Sequence, residues 1–404
     1  MKLGPLFDKF TCERREEMQN SLVIMSLTLA SIAVILTMVM TTPIHFVLDV
    51  YAQLDLKSVE ATTNSTAPPT TQNNNAPTGD NTAQNPATRS YANSVFGIKL
   101  EYPITWSAFE LNSRFRDNLT YAVALLRTPL ENVTDKYAER VNFNMQGFKS
   151  NNVTLDGYTS AILNSYANTS GVKVVESSAT SLAGQPAHKI VLTDDRVDSL
   201  KLKKMQVWSV INKSKAYVVT FAAEESKYQS YLPQFQHILD SLGITSSSDN
   251  PQEKTELPFD DPISGIKLQY PTSWTKIQIG QPPRSNVDLI VAFFHQENRN
   301  ASISRIGIAT QQLVSQNVNL EQYSTNQLKA IERVNATGIQ DHQTKIGNNA
   351  AHSAVFNLNG TKVMQIWTLK GDKAYIFAYQ ASPTDYPKGL ATFQKIANTL
   401  ELKE

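Results

Sequence analysis

The side chains able to do chemistry are few and poorly clustered. Six histidines are present: His45, His188, His237, His295, His342 and His352. No two stand four residues apart, the spacing that puts two imidazoles on one helical face for zinc. His188 and His352 recur at matching positions of an internal repeat, which is the best hint of a metal site. His342 with Asp341 could join His352 across neighbouring strands. A structural histidine in a strand is the plainer expectation for each. Adjacent acids occur at Asp194-Asp195 and Asp260-Asp261. Neighbours on a strand point to opposite faces, so such pairs make no acid/base couple by themselves. Asp260-Asp261-Pro262 reads as a group of turn-formers where a loop enters a domain. A Gly-x-Ser-x-Gly elbow and a glycine-rich phosphate loop are both missing. Cys12 is the only cysteine, which excludes an intramolecular disulfide and a Cys-rich zinc site. The expectation is no catalytic residue, no cofactor and no metal.

Aromatic residues allow two readings. Trp106 and Trp274, Trp208 and Trp367, and Tyr102 and Tyr270 pair off between the repeats. They could line a ligand cleft, but core packing is the favoured role because each ring buries a large area and both repeats need the same core. Nine Asn-x-Ser/Thr sequons stand at Asn64, Asn118, Asn132, Asn152, Asn168, Asn212, Asn300, Asn335 and Asn359. If the cell glycosylates exported proteins, several of these should carry sugar.

The chain has 404 residues with 37 basic and 36 acidic side chains, a formal net charge of +1. That balance gives no electrostatic footprint for nucleic acid. Hydrophobic residues make up 41%, enough for packed cores. The run Ser21 to Met40 contains no charge, Pro or Gly. At this length a helix spans the hydrocarbon core of a bilayer. Lys2, Lys9, Arg14 and Arg15 precede it and the next basic residue is Lys57, so the N-terminus is expected on the cytoplasmic side. An uncleaved signal anchor is preferred over a signal peptide cut after Ala52, because the apolar run is long for a signal peptide. Residues 61–90 are almost all Thr, Asn, Ala, Pro, Ser and Gln, a composition that cannot offset the entropy of ordering. The expected layout is a cytoplasmic tip (1–20), a membrane helix (21–42), a disordered stalk (57–92), a first domain (93–244), a linker (245–257) and a second domain (258–404).

The two domains are copies. Gly97-Ile98-Lys99-Leu100-Glu101-Tyr102-Pro103-Ile104-Thr105-Trp106 matches Gly265-Ile266-Lys267-Leu268-Gln269-Tyr270-Pro271-Thr272-Ser273-Trp274. Met205-Gln206-Val207-Trp208 matches Met364-Gln365-Ile366-Trp367, and Lys215-Ala216-Tyr217 matches Lys373-Ala374-Tyr375. The offset falls from 168 to 158 along the chain, as a few loop deletions would produce. A period this long marks whole domains rather than a solenoid.

Each copy predicts a short strand ending at Pro, two β-rich runs, a helix (about Leu155 to Tyr166; Leu320 to Arg333), a strand group and a closing helix. In the first closing helix Tyr228, Tyr231, Leu232, Phe235, Ile238, Leu239 and Leu242 form one apolar stripe. In the second, Ser382-Pro383 reads as N-cap and first helical residue. The fold class is α+β: two tandem antiparallel-sheet sandwiches.

The opening Gly-Ile-Lys-Leu-x-Tyr-Pro-x-x-Trp, the strand Gly184-Gln185-Pro186-Ala187-His188-Lys189-Ile190, the Gln-x-Trp strand followed by Lys-Ala-Tyr, and the closing Tyr-x-x-Tyr-Leu-Pro-x-Phe-Gln helix together resemble the PsbP-like family. The resemblance covers both copies, about 93–244 and 258–404. It implies a central antiparallel sheet flanked by helices, in exported proteins that act as accessory or binding subunits. The second copy departs at Asn348-Asn349-Ala350-Ala351-His352. The expected function is a single-pass, extracytoplasmic, non-enzymatic binding or accessory protein docking a protein partner in a membrane or envelope complex. A small-ligand or lipid-binding surface protein is the alternative, and an extracytoplasmic hydrolase the third reading.

Overall fold

The structure, a computed structural model, describes residues 87–114, 120–132, 135, 137–149, 152–197, 200–245, 255–280, 287–295, 302–313 and 318–403. The expected cytoplasmic tip, membrane helix and all but the end of the stalk lie outside the described residues, as do Cys12, Asn64, Asn118 and Asn300. Among the described residues no helix is long and apolar enough to cross a membrane.

The first copy runs β1 (Thr88–Asn93), β2 (Ile98–Pro103), β3 (Ser107–Arg114), β4 (Thr120–Arg127), β5 (Arg140–Gly147), α1 (Leu155–Ala167), β6 (Val172–Leu182), β7 (Gln185–Val197), β8 (Leu200–Ile211), β9 (Lys215–Glu224), α2 (Tyr228–Asp240) and β10 (Gly243–Ile244). The second repeats that order: β11 (Glu256–Asp261), β12 (Ile266–Pro271), β13 (Thr275–Gln278), β14 (Val287–His295), β15 (Ser304–Gln312), α3 (Leu320–Arg333), β16 (Thr337–Ile346), β17 (Asn349–Leu358), β18 (Thr361–Lys370), β19 (Lys373–Ala381), α4 (Tyr386–Asn398) and β20 (Glu401–Leu402).

Alternation along the strands builds the layers. In β9, Tyr217, Val219 and Phe221 face a core shared with α2 and the small sheet β1-β2-β10, while Ala216 and Val218 face α1. In β19, Tyr375, Phe377 and Tyr379 share a core with α4 and β11-β12-β20, while Ala374 and Ile376 pack on the side of α3. Each copy is therefore a sheet with a helix on one face and a helix plus a three-stranded cap on the other, the arrangement that period-two burial requires. Thr154 caps α1 by accepting from Gly157 N at 3.1 Å, and Asn319 with Gln322 forms a capping box on α3.

The copies do not stay separate. One 14-stranded sheet runs β16-β17-β18-β19-β15-β14-β13-β3-β4-β5-β9-β8-β7-β6, with β3 and β13 paired at its centre through Ile277↔Phe109 and Gln278↔Ala108. A single apolar cluster crosses the joint, made of Phe109, Ala122 and Leu125 with Ile277, Ala292 and Phe294. Gly280 is needed here, since a Cβ would run into the Thr105 carbonyl; its N–H donates to Ser107 Oγ at 2.9 Å.

Four sequence expectations change. Glu256 and Leu257, expected in the linker, begin β11, where Leu257 is buried in the core. Thr88 to Ala92, expected in the stalk, belong to β1 because Arg89 and Tyr91 are buried against the body. Asp260-Asp261 are not turn-formers but lie in β11, paired with Lys267 and Ile266. The α4 N-cap is Asp385, not Ser382; Ser382 instead forms the turn before the helix, its carbonyl accepting from Asp385 N and Tyr386 N.

Candidate functional site

The repeated histidines serve as lids on tryptophans. His188 lies 5.4 Å from Trp208 and His352 stacks 5.5 Å from Trp367, with both indoles fully buried. Each indole then donates to a helix: Trp208 Nε1 to Thr159 Oγ1 at 3.0 Å, Trp367 Nε1 to Ser324 Oγ at 2.8 Å. His188 Nε2 also pairs with Ser177 Oγ at 2.8 Å. His352 Nε2 lies 3.8 Å from Asp341 Oδ2, so that pair does meet across strands. His342 does not join it. In the register Gln343 sits opposite His352 and His342 opposite Ser353, which puts His342 on the other face. Among the described residues no three His, Cys, Asp or Glu side chains group as a metal would need.

Asp194 stays single too: its carboxylate is buried and bound by Arg196 Nε at 2.7 Å and Lys204 Nζ at 2.6 Å. Burial raises its pKa, but the Arg196 and Lys204 contacts outweigh that and hold it far below the usual carboxylate range. Six of the sequon asparagines fall in described residues: Asn132, Asn152, Asn168, Asn212, Asn335 and Asn359 are all exposed, at turns or a helix end. Trp106, Trp208, Trp274 and Trp367 are all core residues, with at most 3% exposure.

The joint holds the charges that the sequence reading missed. Glu110 of β3 is fully buried and lies 3.2 Å from Lys276 Nζ of β13. Tyr270 Oη donates to the same carboxylate, 2.8 Å and 2.9 Å from its oxygens. Lys276 Nζ sits over the rings of Tyr91, Tyr270 and Phe259 at 5.1 to 5.7 Å, a box drawn from both copies. Burial and the Glu110 charge push the Tyr91 and Tyr270 phenols well up. Nearby, Arg89 Nε lies 3.3 Å from Asp261 Oδ1 and Nη1 donates to the Ile279 carbonyl at 2.9 Å. Every one of these contacts except Tyr270–Lys276 and Phe259–Lys276 crosses from one copy to the other. They fix the geometry of the joint.

Open space occurs in the second copy, at the amino end of α4. A cleft of about 130 Å³ is lined by Ser273, Trp274, His295, Ser302, Ser304, Asp385, Lys388, Gly389 and Thr392. His295 stacks on Trp274 at 5.4 Å, and its Nδ1 donates to the Ser273 carbonyl at 3.1 Å. Asp385 accepts from Lys388 Nζ at 2.8 Å, from Ser382 Oγ at 2.9 Å and from Ser302 Oγ. The Lys388, Ser302 and Ser382 contacts lower its pKa to about 2, so it is a carboxylate throughout the physiological range and a poor proton acceptor. The same place in the first copy is full. Tyr231 lies 6.3 Å from Trp106 and its hydroxyl donates to Glu131, while Lys227 is within 3.3 Å of Glu131, Asp135 and Glu224. Only the repeat register, which sets Gly389 against Tyr231, could have signalled the difference from sequence.

No family model matches the chain and no curated protein sequence matches it. Among solved structures it is similar to cyanobacterial PsbP from Synechocystis sp. PCC 6803, at 12% identity and TM-score 0.30 over 41% of this chain and 98% of that one. It is similar to LpqN of Mycobacterium tuberculosis, described as involved in cell envelope biogenesis, at 11% identity and TM-score 0.28 over 41% of this chain and 87% of that one. The immunity protein TplEi of Pseudomonas aeruginosa covers both copies, 78% of this chain and 98% of its own, at 7% identity and TM-score 0.29.

Proposed function

We propose that this protein is a non-enzymatic binding or accessory protein, held on the outer side of a membrane by its N-terminal segment and docking a protein partner there. The observation that carries this reading is the welded joint. Two copies that could have swung on a linker are locked by a shared sheet, a shared apolar cluster and two buried ion pairs. The result is one stiff body presenting two related faces in fixed register, which suits simultaneous engagement of a partner at two points. The chemistry of the side chains supports the same reading. His188 and His352 lie against tryptophans and Glu110, Asp194 and Asp261 lie against fixed cations, so these titratable groups serve the architecture.

Two experiments test it. Cys12 is the only thiol. A membrane-impermeant maleimide should leave it unlabelled in intact cells and label it after permeabilisation; labelling of intact cells would reverse the topology. Photo-crosslinking from exposed positions on both faces, in native membranes, should recover one stoichiometric partner protein. Recovery of none from either face would defeat the docking role.

A further inference from the structure

We propose that the cleft at the amino end of α4 is a binding site, peculiar to the second copy, for a neutral polyhydroxylated ligand with about one sugar ring engaged. It is independent of the docking role.

The cleft arises from a coupled exchange between the copies. In the first copy the helix position against the opening tryptophan is Tyr231, and Phe221 of β9 packs on Tyr228 and Phe235 of the same helix. In the second copy the residues corresponding to Tyr231 and Phe221 are Gly389 and Tyr379. The Tyr379 hydroxyl donates to the Tyr386 carbonyl at 3.0 Å and occupies the space that a Cβ on residue 389 would need. A hydroxyl gained on the strand thus requires glycine on the helix, and losing the Tyr231 ring opens the cleft beside Trp274. A third exchange leaves a polar group without its cap. Trp106 Nε1 donates to Gln234 Oε1 at 2.9 Å, whereas the matching residue in the second copy is Thr392. Trp274 is only 3% exposed, and its indole N–H finds no partner among the described residues. Trp274 lines the open cleft, so its indole N–H is a donor that a group arriving there can use.

The lining selects the ligand. Ser273 and Thr392 offer hydroxyls that both donate and accept, Ser302 and Ser304, whose protons are held by Asp385 and Tyr379, offer lone pairs, and His295, with Nδ1 committed to a carbonyl, leaves Nε2 for a ligand. The two charges in the wall, Asp385 and Lys388, are already paired. An anion entering meets the Asp385 carboxylate and a cation meets the Lys388 ammonium, whereas a neutral polyol satisfies donors and acceptors without disturbing either. A cavity of about 150 Å³ is enough to hold a benzene ring, so a cleft of about 130 Å³ suits the engagement of one ring.

Fluorine NMR of the full-length protein, purified in detergent and carrying fluorotryptophan, tests this, because the four tryptophans are separate reporters. Trp274→Phe assigns the signal. Titration with glucose, galactose, mannose and N-acetylglucosamine should shift the Trp274 signal saturably with at least one sugar and leave that of Trp106 in place. Binding of the free sugar but not of an oligosaccharide ending in it marks a free solute as the source; the reverse marks a glycan end. Thr392→Gln, which restores the indole cap, and Tyr379→Phe with Gly389→Tyr, which restores the first-copy filling, should each weaken binding at least tenfold, with the other three signals unmoved to confirm the fold. The proposal fails if no sugar shifts the Trp274 signal, if affinity is undiminished in both variants, or if inorganic phosphate or tetramethylammonium binds there more tightly than any sugar.

Discussion

Asp194 concentrates several opposing effects in one side chain. It is 2% exposed, which alone would favour the neutral acid, yet Arg196 and Lys204 hold it ionised. Its folded pKa lies below the unfolded value of about 3.9. The linked stability is therefore fully present above that unfolded value and drains away as pH falls below it toward the folded one. Asp194→Asn should cost about 1.5–3 kcal/mol at neutral pH, the range for a hydrogen bond to a charged group. Denaturant titrations at pH 7 and pH 3 should show the wild type losing more stability on acidification than the variant; equal losses would remove Asp194 as the cause. The sequence shows an Asp-Asp pair here and another at Asp260-Asp261 but not what they do. Asp261 is fully buried because it meets Arg89, a residue 172 positions away in a segment whose neighbours read as stalk. Local composition cannot reveal a partner that only the folded joint brings near.

Elements were legible where burial leaves a periodic trace. The stripe from Tyr228 to Leu239 is the core-facing side of α2, with Leu242 packing just beyond its end, and α3 covers the predicted span from Leu320 to Arg333. The outer edge strand of the first copy is legible from Val172, where β6 begins, but that of the second copy leaves no trace. β16 reads Thr-Gly-Ile-Gln-Asp-His-Gln-Thr-Lys-Ile and is mostly exposed, because it is an outer edge of the large sheet and has no second neighbour to bury it. β13 is four residues long and is held in place by β3 of the other copy, a contact invisible within its own repeat. The helices α1 and α3 dock by the same device: an indole reaching from the sheet to a hydroxyl on the helix. Thr159→Val and Ser324→Ala each strand a buried N–H and should cost about 1–3 kcal/mol. Hydrogen exchange should quicken in the helix that carries the substitution while its counterpart in the other copy is unchanged; equal acceleration in both helices would mean that the copies are not docked independently at this level.

At the scale of the whole molecule the duplication has become asymmetric. In the repeat register Lys276 answers to Ala108, Glu110 to Gln278, Arg89 to Leu257 and Asp261 to Asn93. Two first copies facing each other would place Glu110 against Ala108, and two second copies would place Lys276 against Gln278. Neither half is self-complementary, which an isologous pair requires, so the joint fits only one copy of each kind. The seam is also where separation would be most costly, since Glu110 and Lys276 would part inside an apolar box. Lys276→Met should destabilise by about 3–5 kcal/mol, the usual result of orphaning a buried charge, and adding Glu110→Gln should recover much of that loss. Multi-domain chains commonly melt in stages. Here a shared sheet and core make each copy part of the other's interior, so calorimetry should show the described body unfolding in one transition. Lys276→Met should move that transition down intact. Two resolved transitions in the wild type would mean that the copies are stable without each other, and that the seam between β3 and β13 is a contact rather than a core.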